Sequence, residues 1–254
     1  MKSDVYFVSD AHFGGDPPDV EREKEDRFFS FLHHIQDKAE VLYIVGDLFD
    51  FWFEYKRAVP NTHFRILKRL SDVIDSGTRI VLVAGNHDIW TGPYVSREIG
   101  FDVRRWSCEA HHQGLSFFIS HGDGMAEGER GYRIQRWIMR NRVCVWLYRL
   151  LHPDLGIPLA KRVSKWSRHR SKPNPPGWNS QAYREAATMK LKEGYDVVVL
   201  AHIHYPTLEQ IEGKHYLNPG DWITSFTYGK LSQGHLSLEK WSHSATEWEC
   251  REHS

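Results

Sequence analysis

Residues 41–50 read VLYIVGDLFD, an apolar, β-branched and aromatic run that leads directly into Gly46 and Asp47. Such a run predicts a buried β-strand. Four further strand-like runs end in the same way, and the clusters that follow them are Asp10-Ala11-His12, Gly85-Asn86-His87-Asp88, His121-Gly122-Asp123 and His202-Ile203-His204. Because open α/β sheets place their sites at the carboxyl ends of the strands, we expect these side chains to gather at one edge. A sixth polar cluster, Asn218-Pro219-Gly220-Asp221, follows no comparably strong strand pattern.

Helical patterns alternate with the strand-like runs. Apolar residues recur at helical spacing over residues 21–36 and 63–76, and a further helix is expected at about residues 181–192. Residues 225–230 and 234–238 read as short antiparallel strands. Strand–helix–strand order predicts an α/β fold with a largely parallel sheet that is covered by helices.

The composition is that of an ordinary globular protein. The 254 residues are 41% hydrophobic, and 33 basic residues balance 33 acidic ones, so no global charge attracts nucleic acid. The three cysteines (Cys108, Cys144 and Cys250) are scattered without metal-binding spacing, which favours a reducing, cytoplasmic compartment. We also expect no signal peptide and no membrane-spanning segment.

Residues 129–172 depart from this balance, with twelve basic residues and only two acidic ones. Apolar residues fall near one helical face there, and Pro153 and Gly156-Ile157-Pro158 predict a break between two helices. Three interpretations fit this segment: a lid over an anionic, partly apolar ligand, a membrane-surface element, or a solvated face of a helical insertion.

We therefore predict a core with one insertion. The predicted core is residues 1–128 and 178–254, and the insertion, called the lid segment below, is residues 129–177.

The residue types in the clusters predict a metal site. Aspartate, asparagine and histidine without cysteine suit hard or borderline divalent metals. One such cluster alone is weak, since a lone Asp after a strand is often a helix cap, but their joint occurrence at strand ends favours ligation. Seven ligands are predicted, more than one transition metal needs: Asp10, His12, Asp47, Asn86, His121, His202 and His204. Histidines outside the clusters, such as His63 and His112, are expected at the surface.

A pair of metals that share Asp47 would accommodate all seven ligands. Two ions about 3.5–4 Å apart can clamp the attacking and leaving oxygens of a phosphoryl displacement, with a hydroxide between them as nucleophile. Such a site needs no Ser or Cys nucleophile, and the sequence offers no convincing one.

The succession Asp-x-His, Gly-Asp-x-x-Asp, Gly-Asn-His-Asp, His and His-x-His resembles that of the calcineurin-like metallophosphoesterases, over roughly residues 4–222. This resemblance implies a four-layer α/β/β/α sandwich of two mixed sheets flanked by helices. It implies one metal held by Asp10, His12, Asp47 and His204, and a second held by Asp47, Asn86, His121 and His202. It also implies catalytic roles for His87, beside the substrate phosphate, and for Asp88, which with Asp50 and Asp123 would orient the ligands or His87.

Within that superfamily the chain is most similar to the UDP-2,3-diacylglucosamine pyrophosphatases of lipid A biosynthesis. The similarity lies in residues 45–52, in residues 120–124 and in the basic insertion that follows. It implies hydrolysis of UDP-2,3-diacylglucosamine to UMP and 2,3-diacylglucosamine 1-phosphate, usually with manganese (Mn2+), on the cytoplasmic face of the inner membrane. The residues expected to bind substrate are Asn86, His87, Tyr132, Arg133, Arg136 and His202.

Two other functions fit the same residues. One is a soluble metal-dependent phosphodiesterase, nucleotidase or nuclease, for which the basic insertion would bind phosphates in a salt-dependent way. The other is a non-catalytic scaffold, which would be expected to lose ligands, whereas all seven are present. The sequence does not define the identity of the metal, since these donors admit Mn, Fe, Zn, Ni or Co, nor the oligomeric state or the acyl-chain length.

Overall fold

The structure, a computed structural model, describes residues 2–126, 137–170 and 179–242. Its strands are β1 (Asp4–Val8), β2 (Ala39–Ile44), β3 (Arg79–Val83), β4 (Asp102–Arg104), β5 (Ser107–His112), β6 (Leu115–Ser120), β7 (Val197–Leu200), β8 (Thr207–Ile211), β9 (Lys214–Asn218), β10 (Thr227–Ser232) and β11 (His235–Lys240). Its helices are α1 (Pro18–Ile35), α2 (Phe64–Asp75), α3 (Arg142–Arg149), α4 (Pro153–Arg170) and α5 (Ser180–Lys192).

The strands form two mixed sheets. The first has six strands in the order β11-β10-β1-β2-β3-β4, and the second has five in the order β5-β6-β7-β9-β8. The strands β1 to β4 are mutually parallel, as are β6, β7 and β9, while β10, β11, β5 and β8 run antiparallel to their neighbours. The parallel strands therefore deliver their carboxyl ends to one edge of each sheet.

Alternating side chains hold the layers together. In β1, Val5 and Phe7 lie in the core between the sheets, whereas Tyr6 and Val8 pack with residues of α1 and α2. In β7, alternate residues likewise face the inter-sheet core and the layer formed by α5. Strands buried on both faces need a continuous apolar run, which is why the sequence pattern there is unbroken rather than alternating.

The four-layer sandwich is thus confirmed. The three core helices lie within a few residues of their predicted positions, and α1 begins earlier, at Pro18, because proline is well suited to the first turn of a helix. The prediction of a largely parallel sheet was incomplete: β4, β5, β8 and β9 were not anticipated. β4, β5 and β8 lie at sheet edges and are short or carry charged and polar side chains, as edge strands commonly do, whereas β9 lies inside the second sheet between β7 and β8.

The described part of the lid segment, residues 137–170, is helical and contains the predicted break. The chain turns at residues 150–152, and α4 begins at Pro153. The Gly156-Ile157-Pro158 sequence does not interrupt α4: Pro158 lies inside the helix, where proline removes one backbone hydrogen bond, but the helix continues to Arg170. Among the described residues, no helix has both the length and the apolar character that crossing a bilayer requires.

Candidate metal centre

The polar clusters follow the carboxyl ends of β1, β2, β3, β6 and β7, where backbone hydrogen bonds lock the loops together. The amide of Asp10 donates to the carbonyl of Gly46 at 3.1 Å, and that of His12 donates to the carbonyl of Asp47 at 2.9 Å. Five of the seven predicted ligands have positive φ, namely Asp10, His12, Asp47, His202 and His204. Such strained backbone is typical of functional sites, because the surrounding structure must hold it in place.

One group of donors forms around Asp10. Its Oδ1 atom lies 3.2 Å from His204 Nε2 and 3.8 Å from His12 Nε2. Its Oδ2 atom accepts a hydrogen bond from the amide of His202 at 3.3 Å. The backbone therefore fixes one carboxylate oxygen and directs the other toward two imidazoles, and the three donor atoms lie within 4.8 Å of one another.

A second group forms around His121. Its Nδ1 lies 2.9 Å from the carbonyl oxygen of Val45, which can only accept, so Nδ1 carries the proton. Its Nε2 then presents a lone pair 3.3 Å from Asp47 Oδ2 and 3.2 Å from His202 Nδ1. Three electron-pair donors thus converge on a point where a cation would satisfy all of them.

Asp47 connects the two groups. The same Oδ2 atom that faces His121 lies 3.7 Å from His12 Nε2. Its Oδ1 atom accepts a hydrogen bond from the amide of His87 at 2.9 Å. One carboxylate therefore lies between both sets of imidazoles, which is the position expected of a bridging ligand.

Unsatisfied buried atoms support this interpretation. Asp10 Oδ1, His12 Nε2 and Asn86 Oδ1 are buried, and within the described residues none of the three has a hydrogen-bond partner. Leaving a buried polar atom unpaired costs about 1–3 kcal/mol, so three in one place indicate a missing partner common to them. The donor chemistry fits divalent metal ions, although the assignment of individual ligands stays a prediction.

The charge states also suit metal binding. Burial alone would raise the pKa of Asp10 and Asp47, but the facing imidazoles of His204 and His121 hold both well below their ordinary values. Burial, and then the neighbouring His121, lowers the pKa of His202 to about 3. Burial likewise opposes protonation of His121, yet Asp47 raises its pKa well above the usual value, so without a metal a proton is favoured on the His121 Nε2 lone pair, where a bound cation would take its place.

His87 lies beside this cluster. Its Nδ1 donates to the backbone carbonyl of Asp50 at 2.7 Å, and its ring meets the His12 ring edge-on, with centroids 4.6 Å apart. The side chain is 18% exposed, more than that of His12 or Asp47. Because Asp50 fixes the ring through Nδ1, Nε2 is the nitrogen that remains for a ligand.

Asp88, in contrast, is bonded to backbone amides of two loops. Its Oδ1 accepts from the amide of Gly85 at 2.7 Å and its Oδ2 from the amide of Leu48 at 2.8 Å. The residue is fully buried, and burial followed by the nearby Asp47 raises its pKa to about 7. The geometry argues against contact with substrate, so we infer that Asp88 positions the two loops that carry Asp47 and Asn86.

Two features support the site in a way that the sequence did not predict. Lys24 is buried beneath the site, and its Nζ donates to the carbonyl of His12 at 3.2 Å and to Asp16 Oδ2 at 2.8 Å. The sixth polar cluster also braces the centre, since the amide of Trp222 donates to the carbonyl of Asp10 at 3.2 Å. For Lys24, the sequence signal was its position four residues before Phe28, which places it on the inward face of α1.

The expectation that His63 lies at the surface was wrong. It is 2% exposed and packs against Phe49 and Trp52, with ring centroids 4.5 and 5.8 Å away. His112 is partly buried, with Nε2 2.8 Å from the hydroxyl of Tyr43. Three predicted substrate-binding residues lie outside the described residues: Tyr132, Arg133 and Arg136.

Two packed mixed sheets with such a cluster at their carboxyl edge are the architecture of a metal-dependent phosphoester hydrolase. The chain belongs to the calcineurin-like phosphoesterase family, whose sequence pattern matches residues 3–206. A Porphyromonas gingivalis protein named UDP-2,3-diacylglucosamine hydrolase is 36% identical over 173 residues, which cover 66% of this chain and only 64% of that protein. A protein of the same name from Pseudomonas paraeruginosa is 29% identical over 209 residues, covering 82% of this chain and 85% of that one. A solved archaeal phosphodiesterase aligns with a TM-score of 0.49 at 15% identity, covering 93% of this chain and 98% of the other.

Proposed function

We propose that the chain hydrolyses the pyrophosphate of UDP-2,3-diacylglucosamine, releasing UMP and 2,3-diacylglucosamine 1-phosphate, a step of lipid A biosynthesis. The observation that carries the hydrolytic part is the convergence of Asp10, His12 and His204 with Asp47, His121 and His202 around unpaired donor atoms. The substrate part rests on the names of the relatives and on the composition of the lid segment.

Two divalent metals held by the seven predicted ligands would polarise the scissile phosphate and acidify the attacking water. The protein's own contribution is orientation. The Asp50 carbonyl fixes His87 through Nδ1, so that Nε2, once it carries a second proton, can donate to a phosphate oxygen or protonate the leaving group. Asp88 keeps the loops of Asp47 and Asn86 in register through its two backbone contacts.

The described lid segment has the surface that an acylated substrate needs. None of the residues of α3 is buried, and several of its apolar side chains are exposed. The exposed ones include Val143, Trp146, Leu147 and Leu150, with Leu155 and Leu159 on α4. We propose that these residues contact acyl chains, and that basic side chains of the lid segment contact the diphosphate.

The substrate assignment can be tested with purified, metal-loaded protein. We expect UMP and a lipid sugar phosphate to appear from UDP-2,3-diacylglucosamine, as followed by mass spectrometry. A small diester, bis(p-nitrophenyl) phosphate, serves as the comparison substrate. Cleavage of the diester with the lipid substrate left intact would contradict the lipid assignment and favour a soluble phosphodiesterase, nucleotidase or nuclease.

We further propose that the metals are manganese (Mn2+), the ion that the resemblance to the pyrophosphatases implies and one of several that carboxylate, amide and imidazole donors accept. Protein stripped with EDTA should gain stability when Mn2+ is added at about 100 times its dissociation constant. Binding to the folded state alone then contributes about 2.7 kcal/mol, or a rise of roughly 5–10 °C in Tm for a chain of this size. Differential scanning calorimetry measures the shift, and His121→Ala should reduce it. An unchanged Tm in the wild type would argue against the metal centre.

We also propose that the chain acts at the cytoplasmic face of the inner membrane, as a peripheral protein. On α3, Arg142 and Arg149 are exposed beside the exposed Trp146 and Leu150. A helix that combines exposed apolar and basic side chains suits the interface of an anionic bilayer.

Vesicles of phosphatidylethanolamine and phosphatidylglycerol test the membrane proposal by co-sedimentation. Removing Trp146 and Leu150 together by alanine substitution should weaken binding about tenfold, because the apolar area that enters the interface is lost. The control is Phe64→Ala, which truncates an exposed aromatic side chain on α2. Equal binding of the double variant and the wild type, or no binding of the wild type at low salt, would rule the proposal out.

A further inference from the structure

Tyr148 is the side chain through which α3 packs on the core. Its ring centroid lies 4.6 Å from that of Phe53 and 5.1 Å from that of Trp90. Phe51 and Tyr55 complete the group at 6.3 and 6.4 Å. We call these four side chains the aromatic box. Since α3 has no buried residue, this contact is the main apolar attachment of a helix that otherwise faces solvent.

The aromatic box belongs to the two loops that hold His87. The Asp50 carbonyl, next to Phe51, accepts the Nδ1 proton of His87, and the amide of Trp52 donates to the carbonyl of His87 at 3.3 Å. Phe53 and Trp90 form an isolated parallel β-bridge between the loops. The surface that receives Tyr148 is thus bonded directly to the residue predicted to contact the phosphate.

These two loops are also held together by contacts that do not involve Tyr148. The buried carboxylate of Glu54 accepts hydrogen bonds from the amides of Gly92 and Tyr94 at 2.8 and 2.9 Å, and from the indole of Trp52 at 3.2 Å. A charged acceptor with several donors is a strong local constraint. Removing the Tyr148 ring should therefore leave His87 in place and release only the lid segment.

Further contacts near Tyr148 attach the lid segment to the core. The hydroxyl of Tyr148 donates to the carbonyl of Gly156 at 2.6 Å, which joins α3 to α4. Gly156 itself sits against the hydroxyl of Tyr55, so closely that a Cβ atom there would collide with it. The indole of Trp90 donates to the carbonyl of Met139 at 2.6 Å, close to the start of the described lid segment.

We propose that Tyr148 is a positioning residue that docks the lid segment on the loops carrying His87 and so sets its distance from the metal centre. This inference rests on the proposed function in one respect: a substrate with acyl chains must contact the lid segment and the metal centre at once. A small diester needs only the metal centre. Loss of the anchor should therefore separate the two substrates.

Tyr148→Ala tests this, with Tyr148→Phe and Phe64→Ala as matched controls. For UDP-2,3-diacylglucosamine we expect Tyr148→Ala to lower kcat/KM by at least about tenfold, mainly through KM, since the contact is made in the bound state rather than in the reaction. For bis(p-nitrophenyl) phosphate the same variant should stay within about twofold of the wild type. Tyr148→Phe keeps the ring and should retain most activity toward both substrates.

Hydrogen exchange followed by mass spectrometry gives a readout that needs no substrate. Amides of residues 139–156 should exchange faster in Tyr148→Ala than in Tyr148→Phe, while those of residues 85–95 keep their protection. If the wild type fails to cleave the lipid substrate, the proposed function is wrong, and the exchange data still decide the anchoring role. Equal losses toward both substrates, or unchanged exchange in residues 139–156, would overturn the proposal.

Discussion

Replacing Asp47 by asparagine is expected to lower kcat/KM toward any phosphodiester by at least about a thousandfold. The Oδ2 atom of Asp47 lies 3.7 Å from His12 Nε2 and 3.3 Å from His121 Nε2, so this one side chain serves both halves of the proposed centre. An amide of the same shape removes a negative charge that two cations would share. A loss of this size corresponds to about 4 kcal/mol, within the several kcal/mol that metal activation contributes.

Two measurements and a control variant separate this effect from misfolding. Metal content by inductively coupled plasma mass spectrometry should fall below two ions per chain, while circular dichroism should match the wild type. Asp75→Asn, the same change at an exposed position on α2, should affect neither quantity. An Asp47→Asn protein that keeps more than a tenth of its kcat/KM would show that the carboxylate does not bridge two metals.

The strand-end clusters were predictable because they depend on local pattern. An unbroken apolar run can be buried on both faces only in a central strand, and a polar residue at its end must leave the core. This reasoning places Asp10 after β1 and His202 after β7 without any knowledge of tertiary contacts. It also explains why side chains almost 200 residues apart in sequence meet at one edge.

The sequence pattern does not predict the backbone conformation that orients these side chains. Asp10 and His12 would alternate with their neighbours on an extended strand, but both adopt positive φ, which only the surrounding loops can enforce. Lys24 and Asp88 supply part of that constraint through backbone carbonyls and amides. Such contacts depend on which loops lie side by side, and that is a property of the folded sheet order.

Burial of single polar residues was equally hard to anticipate. His63 carries no local signal that separates it from exposed histidines, because its place is created by Phe49 and Trp52 from another loop. Tyr148 is similar: its helical spacing placed it near an apolar face, but not against the loops that hold His87. Long-range packing decides such positions, and neither composition nor periodicity encodes it.

Replacing Gly46 by alanine should cause the second large loss of activity, and the reason is steric. Its φ is +83°, and an added Cβ would lie 2.6 Å from His121 Cγ and closer still to Nδ1. That imidazole is held by its hydrogen bond to the Val45 carbonyl at 2.9 Å, so it cannot yield without losing the bond that sets its tautomer. Gly46→Ala should therefore displace a predicted ligand, with a loss of about a hundredfold in kcat/KM, the upper end of the range for disrupted contacts that orient ligands.

Stability and activity should separate when Gly46→Ala is compared with Gly77→Ala. Gly77 has a similar φ of +92°, but nothing lies within 4 Å of its added Cβ. The left-handed backbone alone should therefore lower the stability of Gly77→Ala, by about 1–2 kcal/mol. Gly46→Ala adds overpacking of about 1–3 kcal/mol, for a Tm roughly 5–15 °C below the wild type. Gly77→Ala should keep full activity and metal content. If Gly46→Ala and Gly77→Ala show the same activity, metal content and Tm, close packing of Gly46 against His121 does not hold the centre together. Backbone strain at positive φ alone would then account for the loss of stability.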